Sequence, residues 1–294
     1  MYYRRKILLS LMQLVGGTIE KISLQKLLFL FTQGQEIATF DFVPFKYGCY
    51  SFSSNADLTV MVRKGMINED DKSFTKLDPS DYVTQLSSKD AYLLREVVSE
   101  FGKMSSNELM YTTYIQYPYY ATRSEAAQRL LSEQEYKIVR SNVIHSDKTI
   151  LFTIGYEGIS LEEYLNRLIR NDIKALVDVR NNPLSMKYGF SKTPLRNYCA
   201  SLGIEYIHLP EVGIKSEQRQ ELNSQEDYDR LFEVYRTINL PASVPAQEQI
   251  LTLLKQHKRI ALTCFEANIN QCHRTHLADA LSYHSEFIYE LKHI

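Results

Sequence analysis

The second half of the chain alternates short apolar runs with longer amphipathic segments. Four apolar runs have the length of buried strands, and the segments between them repeat apolar residues at helical spacing. The runs cover residues 149–154, 173–179, 204–209 and 260–265. Strands that alternate with helices predict a parallel sheet with right-handed helical crossovers. We therefore predict an α/β domain over residues 148–294.

The first part of the chain is patterned mainly for helices. Apolar residues recur every three or four positions in segments 5–15, 24–33 and 88–101. Pro44 and Gly48 interrupt this pattern and predict a turn-rich loop. We therefore predict that a mostly helical domain, residues 1–147, precedes the α/β domain.

The composition of the chain limits which kinds of binding partner and which cellular compartment we expect. The chain has 294 residues and a net charge of −1, so it lacks the broad basic surface of many nucleic-acid-binding proteins, although a local basic patch is compatible with this total. Its longest apolar runs are far shorter than a membrane span, so we expect no membrane partner. Four cysteines in so long a chain do not form a disulfide framework, which favours a cytoplasmic protein with reduced thiols.

Polar residues follow all four predicted strands. They are Gly155, Tyr156 and Glu157, then Asp178 and Arg180, then His208 and Glu211, and finally Cys264 and Glu266. Because ligands of parallel sheets bind beyond the carboxyl ends of the strands, we expect these residues to converge on one site. The stretch 259–276 organises that site. It continues from the last strand into a predicted helix that opens with Cys272, His273 and Arg274.

Two groups of motifs resemble known families. Residues 5–125 contain Leu24-Gln25-Lys26-Leu27-Leu28, Lys46-Tyr47-Gly48 with Ser51, and Tyr117-Pro118 with Ser124. This part resembles the Panacea or SocA-like antitoxin domain, although Cys49 stands where that family has proline. The resemblance implies a regulatory module that binds a protein or nucleic-acid partner, often in toxin–antitoxin and phage-related loci.

The second half resembles the uncharacterised DUF family number 488. The motifs are Thr153-Ile154-Gly155-Tyr156, Asp178-Val179-Arg180 with Pro183 and Ser185, Gly189-Phe190-Ser191, Tyr206-Ile207-His208-Leu209-Pro210, and Cys264-Phe265-Glu266 with Cys272-His273-Arg274. The resemblance implies a Rossmann-like α/β fold and a site at these motifs. It supplies no established reaction.

The favoured chemistry is that of an enzyme acting on a nucleotide or nucleic acid. Glu266, with Asp178, would act as general base or nucleophile at a sugar carbon, as in N-glycosidic removal of a base. Cys272 and His273 would support this catalysis. The substrate or its phosphate would contact Gly155, Tyr156, Glu157, Arg180, Ser185, His208 and Arg274. An alternative for Asp178 and Arg180 is a structural ion pair that orders the loop.

Other functions stay open at this point. Cys272 at a helix N-terminus beside His273 suggests a thiol enzyme, with Cys264 as the second thiol. Cys264, Cys272 and His276 suggest a zinc enzyme, although the favoured interpretation needs no metal or other cofactor. A non-catalytic module that senses a ligand and binds a partner is the remaining class. We expect a nucleotide or DNA as the partner, a protein partner for the N-terminal domain, and a role in antiviral defence.

Overall fold

A computed structural model gives the structure of the chain and describes residues 1–219, 222, 224–284 and 288–294. The chain divides into two compact units, Met1–Val143 and Ile144–Ile294. In the described parts of both units, no helix combines the length and the apolar character that crossing a membrane requires.

The N-terminal unit is mostly helical, with small antiparallel sheets. Its elements are α1 (Tyr3–Leu14), β1 (Thr18–Glu20), α2 (Lys21–Gly34), β2 (Val43–Phe45), β3 (Gly48–Tyr50), α3 (Phe52–Arg63), β4 (Ile67–Glu69), β5 (Ser73–Lys76), α4 (Ser88–Phe101), α5 (Ser106–Gln116), α6 (Pro118–Ala121), α7 (Ala127–Leu130) and α8 (Glu133–Ser141). Strands β1, β5 and β4 form one sheet, and β2 and β3 form a hairpin.

Helix α2 lies at the centre of this unit because its sequence is apolar around nearly its whole circumference. Ten of its residues, 23–32, are buried, as expected of a helix that has neighbours on all sides. Helices α5 and α8 begin with capping boxes, in which Ser105 and Ser132 each exchange hydrogen bonds with a glutamate three residues later.

The C-terminal unit has the predicted alternation of strands and helices. Its elements are β6 (Ile150–Gly155), α9 (Leu161–Arg170), β7 (Ala175–Asp178), α10 (Lys192–Ser201), β8 (Glu205–His208), α11 (Gln225–Val234), α12 (Leu240–Ala242), α13 (Val244–His257), β9 (Arg259–Cys264), α14 (His273–Ser282) and β10 (Glu290–His293). A π-helical segment, Tyr235–Asn239, joins α11 to α12.

The five strands form one parallel sheet in the order β10-β6-β9-β7-β8. The predicted fold class, a parallel-sheet α/β domain after a mostly helical domain, is therefore confirmed. The edge strand β10 was not predicted, because its sequence is polar and largely exposed and lacks the apolar run of a buried strand. Strand β9 is central, and all six of its residues are buried.

Leu262 provides a test of this central position. Its side chain is fully buried in β9, so we expect Leu262→Ala to lower the free energy of unfolding by about 2–5 kcal/mol. Urea denaturation followed by circular dichroism measures this loss. The matched control is Leu184→Ala, because Leu184 is 76% exposed and its truncation should cost less than about 0.5 kcal/mol. Equal losses in the two variants would contradict the described packing of the sheet.

Candidate functional site

The predicted strand ends meet at the carboxyl edge of the sheet, beside an open cleft of about 320 Å³. The cleft is lined by Tyr156, Arg180, Asn181, Asn182, Leu184, Ser185, Met186, Ile214, Ser216, Arg219, Cys264 and Phe265. These residues come from the ends of β6, β7 and β9 and from the segments that follow β7 and β8. This position is the usual one for ligands of open parallel sheets.

A compact cluster of reactive side chains adjoins the cleft. Oε2 of Glu266 accepts hydrogen bonds from both thiols, at 3.0 Å from Sγ of Cys264 and 3.1 Å from Sγ of Cys272. Sγ of Cys264 also lies 3.6 Å from Nδ1 of His273. The ligand atoms of these four residues all lie within 4.8 Å of one another. Two thiols, an imidazole and a carboxylate therefore share one small volume, and only Glu266 is not fully buried.

Arg219 connects this cluster to the cleft. Its guanidinium donates one hydrogen bond to Oε1 of Glu266 at 2.7 Å and another to Nδ1 of His273 at 3.0 Å. The opposite ring nitrogen of His273, Nε2, donates to the carbonyl of Val179 at 3.0 Å. When the ring is neutral, these contacts assign its proton to Nε2, so that Nδ1 presents its lone pair to the cluster.

The loop after β9 is held so that Glu266 folds back over Cys264. Arg274 is buried and donates to the carbonyl groups of Glu266 and Ala267. The amides of Tyr156 and Glu157 both donate to the carbonyl of Phe265, at 3.1 and 2.9 Å. Tyr156, Glu157 and Arg274 were predicted to contact the substrate or its phosphate, but these hydrogen bonds of their amides and guanidinium shape the loop instead. Oε2 of Glu157 adds a further bond from the amide of Ala267 at 3.0 Å.

Gly155 is required where β6 passes this loop. A Cβ atom at this position would lie 2.0 Å from the backbone oxygen of Glu266 and 3.1 Å from a guanidinium nitrogen of Arg274. The first distance is far below any real carbon–oxygen contact, and the oxygen belongs to the backbone, so no side-chain rotation relieves it. Only glycine permits this approach.

Asp178 and Arg180 form a second, neighbouring network. Oδ1 of Asp178 accepts from Nε of Arg180 at 2.8 Å, and Oδ2 accepts from another Arg180 nitrogen and from the Tyr206 hydroxyl at 2.5 Å each. The remaining guanidinium nitrogen donates to the Tyr156 hydroxyl at 2.7 Å and to the Phe190 carbonyl at 2.9 Å. This geometry favours the structural ion pair among the alternatives, because the pair uses up its own donors and acceptors.

The remaining predicted residues surround this second network. Nε2 of His208 lies 2.8 Å from the carbonyl of Arg180, and its Nδ1 lies 2.8 Å from Nζ of Lys192. The hydroxyl of Ser185 accepts from the amide of Lys187 at 3.1 Å. Their roles in binding a substrate stay predictions. His276, considered as a zinc ligand, is outside the thiol cluster and packs its ring against Phe232 at 4.5 Å.

Burial and charge affect the two thiols in opposite directions. Burial raises the pKa of Cys264, but its hydrogen bond with Cys272 and its interactions with His273 and Arg219 outweigh burial and lower that pKa below the ordinary value. Burial and the bond to Cys264 both raise the pKa of Cys272. Of the two thiols, Cys264 is therefore the one that loses its proton first.

Arg219 is the site residue that the sequence did not reveal. It lies in the short 3₁₀ segment Ser216–Arg219. Along the sequence, this segment is well separated from the strand ends and belongs to none of the motifs. The surrounding segment has no regular apolar pattern that would indicate which way a side chain points. The sequence offers one signal that could have pointed to Arg219. It is a basic residue in the long connection after β8, and such connections often carry ligand-binding residues.

The N-terminal unit contains a cavity of its own, of about 620 Å³. At its wall, Lys26 is almost fully buried, and its Nζ donates to the carbonyl of Cys49 at 2.9 Å. Burial lowers the pKa of Lys26. Three further lysines, Lys21, Lys46 and Lys72, line the same cavity.

Comparison with known proteins supports the resemblance of the second half. Residues 160–281 match the model of a family described as Domain of unknown function DUF488. The match includes Asp178, Arg180 and the segment from Cys264 to Arg274, and it begins after the Gly155 motif. No curated protein matches the chain. The antitoxin-like character of the N-terminal unit stays a prediction.

The Asp178–Arg180 pair can be tested by its effect on stability. We expect Asp178→Asn to lower the free energy of unfolding by about 3–5 kcal/mol, because the Arg180 side chain is only 6% exposed and would keep an unpaired charge. Urea denaturation measures the loss. Glu163→Gln is the control, since its pair with Arg167 is more than one-third exposed on both sides and should contribute less than about 1 kcal/mol. A small loss in Asp178→Asn would exclude a structural role for the pair.

Proposed function

We propose that the C-terminal unit is a hydrolytic enzyme that acts on a nucleotide or nucleic acid by removing a base. The observation that carries this proposal is the position of the Glu266 carboxylate. It is anchored by Arg219, which lines the open cleft, and it lies beside Cys264, which lines the cleft as well. A fixed carboxylate at the edge of a small cleft is the basic requirement for activating water at a bound substrate.

The cleft suits a single nucleoside or an extruded base. Its volume of about 320 Å³ lies at the small end of ligand sites. The side chains of Asn181 and Asn182 offer both donors and acceptors for the edge of a base. The ring of Phe265 is 42% exposed at the wall and offers a face for stacking.

The proposed reaction is hydrolysis of the N-glycosidic bond. Glu266 takes a proton from a water molecule while the water oxygen forms a bond to the anomeric carbon of the sugar. The bond between that carbon and the base nitrogen breaks, and its electron pair leaves with the base. The base then takes up a proton, so the products are the free base and an abasic sugar. Arg219 holds the carboxylate in place.

Two exposed apolar side chains favour DNA over a free nucleotide. Leu184 is 76% exposed and Met186 is fully exposed, and both lie at the wall of the cleft. Enzymes that act on a base in a duplex must extrude it from the stack, and proteins insert leucine or methionine between base steps when they distort DNA. We assign Leu184 and Met186 to that insertion.

Base removal can be detected directly. Purified protein is incubated with plain DNA and with DNA from a phage that carries modified bases, and mild alkali then cuts the DNA at abasic sites. We expect cuts with the wild-type protein and a rate at least about 100-fold lower with Glu266→Gln, which keeps the size of the side chain and removes its basicity. Glu248→Gln, on an exposed part of α13, is the control and should cut like wild type.

The outcomes of this assay separate the proposed enzyme from a binding protein. No alkali-sensitive cuts in either DNA, or undiminished cutting by folded Glu266→Gln, would exclude base removal by this carboxylate. A tight complex with DNA but no cuts would instead support a ligand-sensing module without catalysis.

The insertion of Leu184 and Met186 predicts a difference between substrates. We expect Leu184→Ala combined with Met186→Ala to slow base removal from duplex DNA at least about tenfold and to change the rate on single-stranded DNA less than about twofold, because a single strand has little stacking to disrupt. Gel-resolved cleavage rates on matched oligonucleotides measure this. Ile238→Ala is the control, since Ile238 is 62% exposed elsewhere on the same unit. Equal slowing on both substrates would contradict the insertion.

The N-terminal unit is assigned a separate role. Its cavity is lined by four lysines against two acidic residues, Glu20 and Asp71, which favours a site for an acidic partner segment over a catalytic site. This assignment agrees with the antitoxin-like resemblance of residues 5–125, and with it we propose antiviral defence as the biological setting.

A further inference from the structure

We infer that Cys264, Cys272 and His273 bind a zinc ion and that the carboxylate of Glu266 lies beside it. The inference concerns the same site as the proposed function and deepens it, because it names what would activate the water. Its evidence is independent of the substrate. That evidence consists of the distances among the four side chains, the residues that orient them, and the types of their ligand atoms.

The distances fit a tetrahedral centre. Zinc bonds to sulfur and nitrogen are about 2.3 and 2.0 Å, so neighbouring ligand atoms around it lie about 3.5 Å apart. Sγ of Cys264 and Nδ1 of His273 are 3.6 Å apart, and Cys272 places its sulfur within 4.8 Å of both. The three atoms can therefore reach a common ion with only small rotations of their side chains.

The ring of His273 is oriented as a metal ligand requires. Its Nε2 donates to the carbonyl of Val179 at 3.0 Å, which leaves the lone pair of Nδ1 directed at the two sulfurs. A histidine that binds zinc nearly always donates its other ring proton to a carbonyl or carboxylate in this way. The ring is fully buried, so surrounding side chains maintain this orientation.

A divalent cation is compatible with the charges of the site. When the ion is bound, both thiols lose their protons. The negative charges of the two thiolates and the Glu266 carboxylate are then balanced by the positive charges of the ion and Arg219. Their charges then sum to zero, while Arg274 donates to backbone carbonyls of the adjoining loop.

The ligand types select zinc over magnesium or calcium. Thiolates are soft ligands, whereas magnesium and calcium prefer oxygen. Three protein ligands of the cysteine and histidine type, with a glutamate beside the fourth position, form a catalytic arrangement that also occurs in zinc enzymes acting on nucleobases. A zinc ion bound there would lower the pKa of a water on it, and Glu266 would be the neighbouring residue that accepts the water's proton.

Metal analysis tests the inference without any substrate. The full-length protein is purified without chelators, and zinc is measured by mass spectrometry of the elements. We expect about one zinc ion per chain in the wild type, and at least a tenfold loss of zinc affinity in Cys264→Ser and Cys272→Ser. Cys199→Ser is the matched control, because Cys199 is also a buried free cysteine of the same unit but lies outside the cluster. It should keep its zinc.

Cobalt gives a readout that does not depend on the variants folding. Wild-type protein reconstituted with Co²⁺ should show the near-ultraviolet absorption of cobalt–thiolate bonds and the visible bands of a tetrahedral ion, and added Zn²⁺ should abolish both. Wild-type protein that neither contains zinc nor takes up Zn²⁺ or Co²⁺ would overturn the inference. Unchanged metal content in folded Cys264→Ser and Cys272→Ser would overturn it as well.

The metal site and the proposed reaction can fail separately. Base removal by wild-type protein that neither contains zinc nor takes up Zn²⁺ or Co²⁺ would overturn the zinc site and leave the proposed function standing. One zinc ion per chain, lost with either cysteine, would support the site even if no base were released from any DNA.

Discussion

The close passage of β6 against the loop after β9 is the constraint on which the site depends. The two strands pair in parallel up to Gly155 and Cys264, where β9 ends and the chain must turn. The backbone oxygen of Glu266 then lies so near Gly155 that no side chain fits between them. Because the loop is pressed onto the end of β6, Glu266 points back over the sheet edge and does not extend into solvent.

Several residues that were predicted to contact the substrate instead maintain this turn. Arg274 and the amides of Tyr156 and Glu157 all donate to carbonyl groups of residues 265–267. A loop with its carbonyls satisfied in this way keeps a fixed shape. That shape places the Glu266 carboxylate between Cys264 and Cys272, which come from different elements.

The sequence allowed the strands and their convergence to be predicted, because buried strands are apolar and their carboxyl ends share one edge of a parallel sheet. It did not show which functional groups make hydrogen bonds to one another. Arg180 has the chemistry of an anion ligand, but Asp178 lies two residues before it on the same edge and takes two of its guanidinium nitrogens. A pattern of residue types contains no information on such competition.

The choice between His273 and His276 shows a second limit. Cys272 and His276 are four residues apart, a spacing that brings side chains together on a helix. However, Cys272 is the N-cap of α14, and its backbone is extended, with φ −129° and ψ 131°. The helical spacing rule therefore does not apply to it, and the adjacent His273 joins the thiols instead. The helix was predicted to start one residue too early, at Cys272. That error was enough to make His276, and not His273, the expected neighbour of the thiols.

The distribution of buried polar groups is itself evidence that this edge has a function. Asp178, Arg180, His273 and Arg274 are all at most 5% exposed, and all lie at the carboxyl edge of the sheet. Apolar residues of similar size would often give equal or greater stability at such positions, because buried charges lose their hydration. Stability alone therefore does not explain why so many lie together. Two adjoining networks do: His273 and Arg274 orient the groups around Cys264 and Glu266, and Asp178 with Arg180 fixes the neighbouring wall of the cleft. Reactive groups work only when neighbouring groups hold them in place.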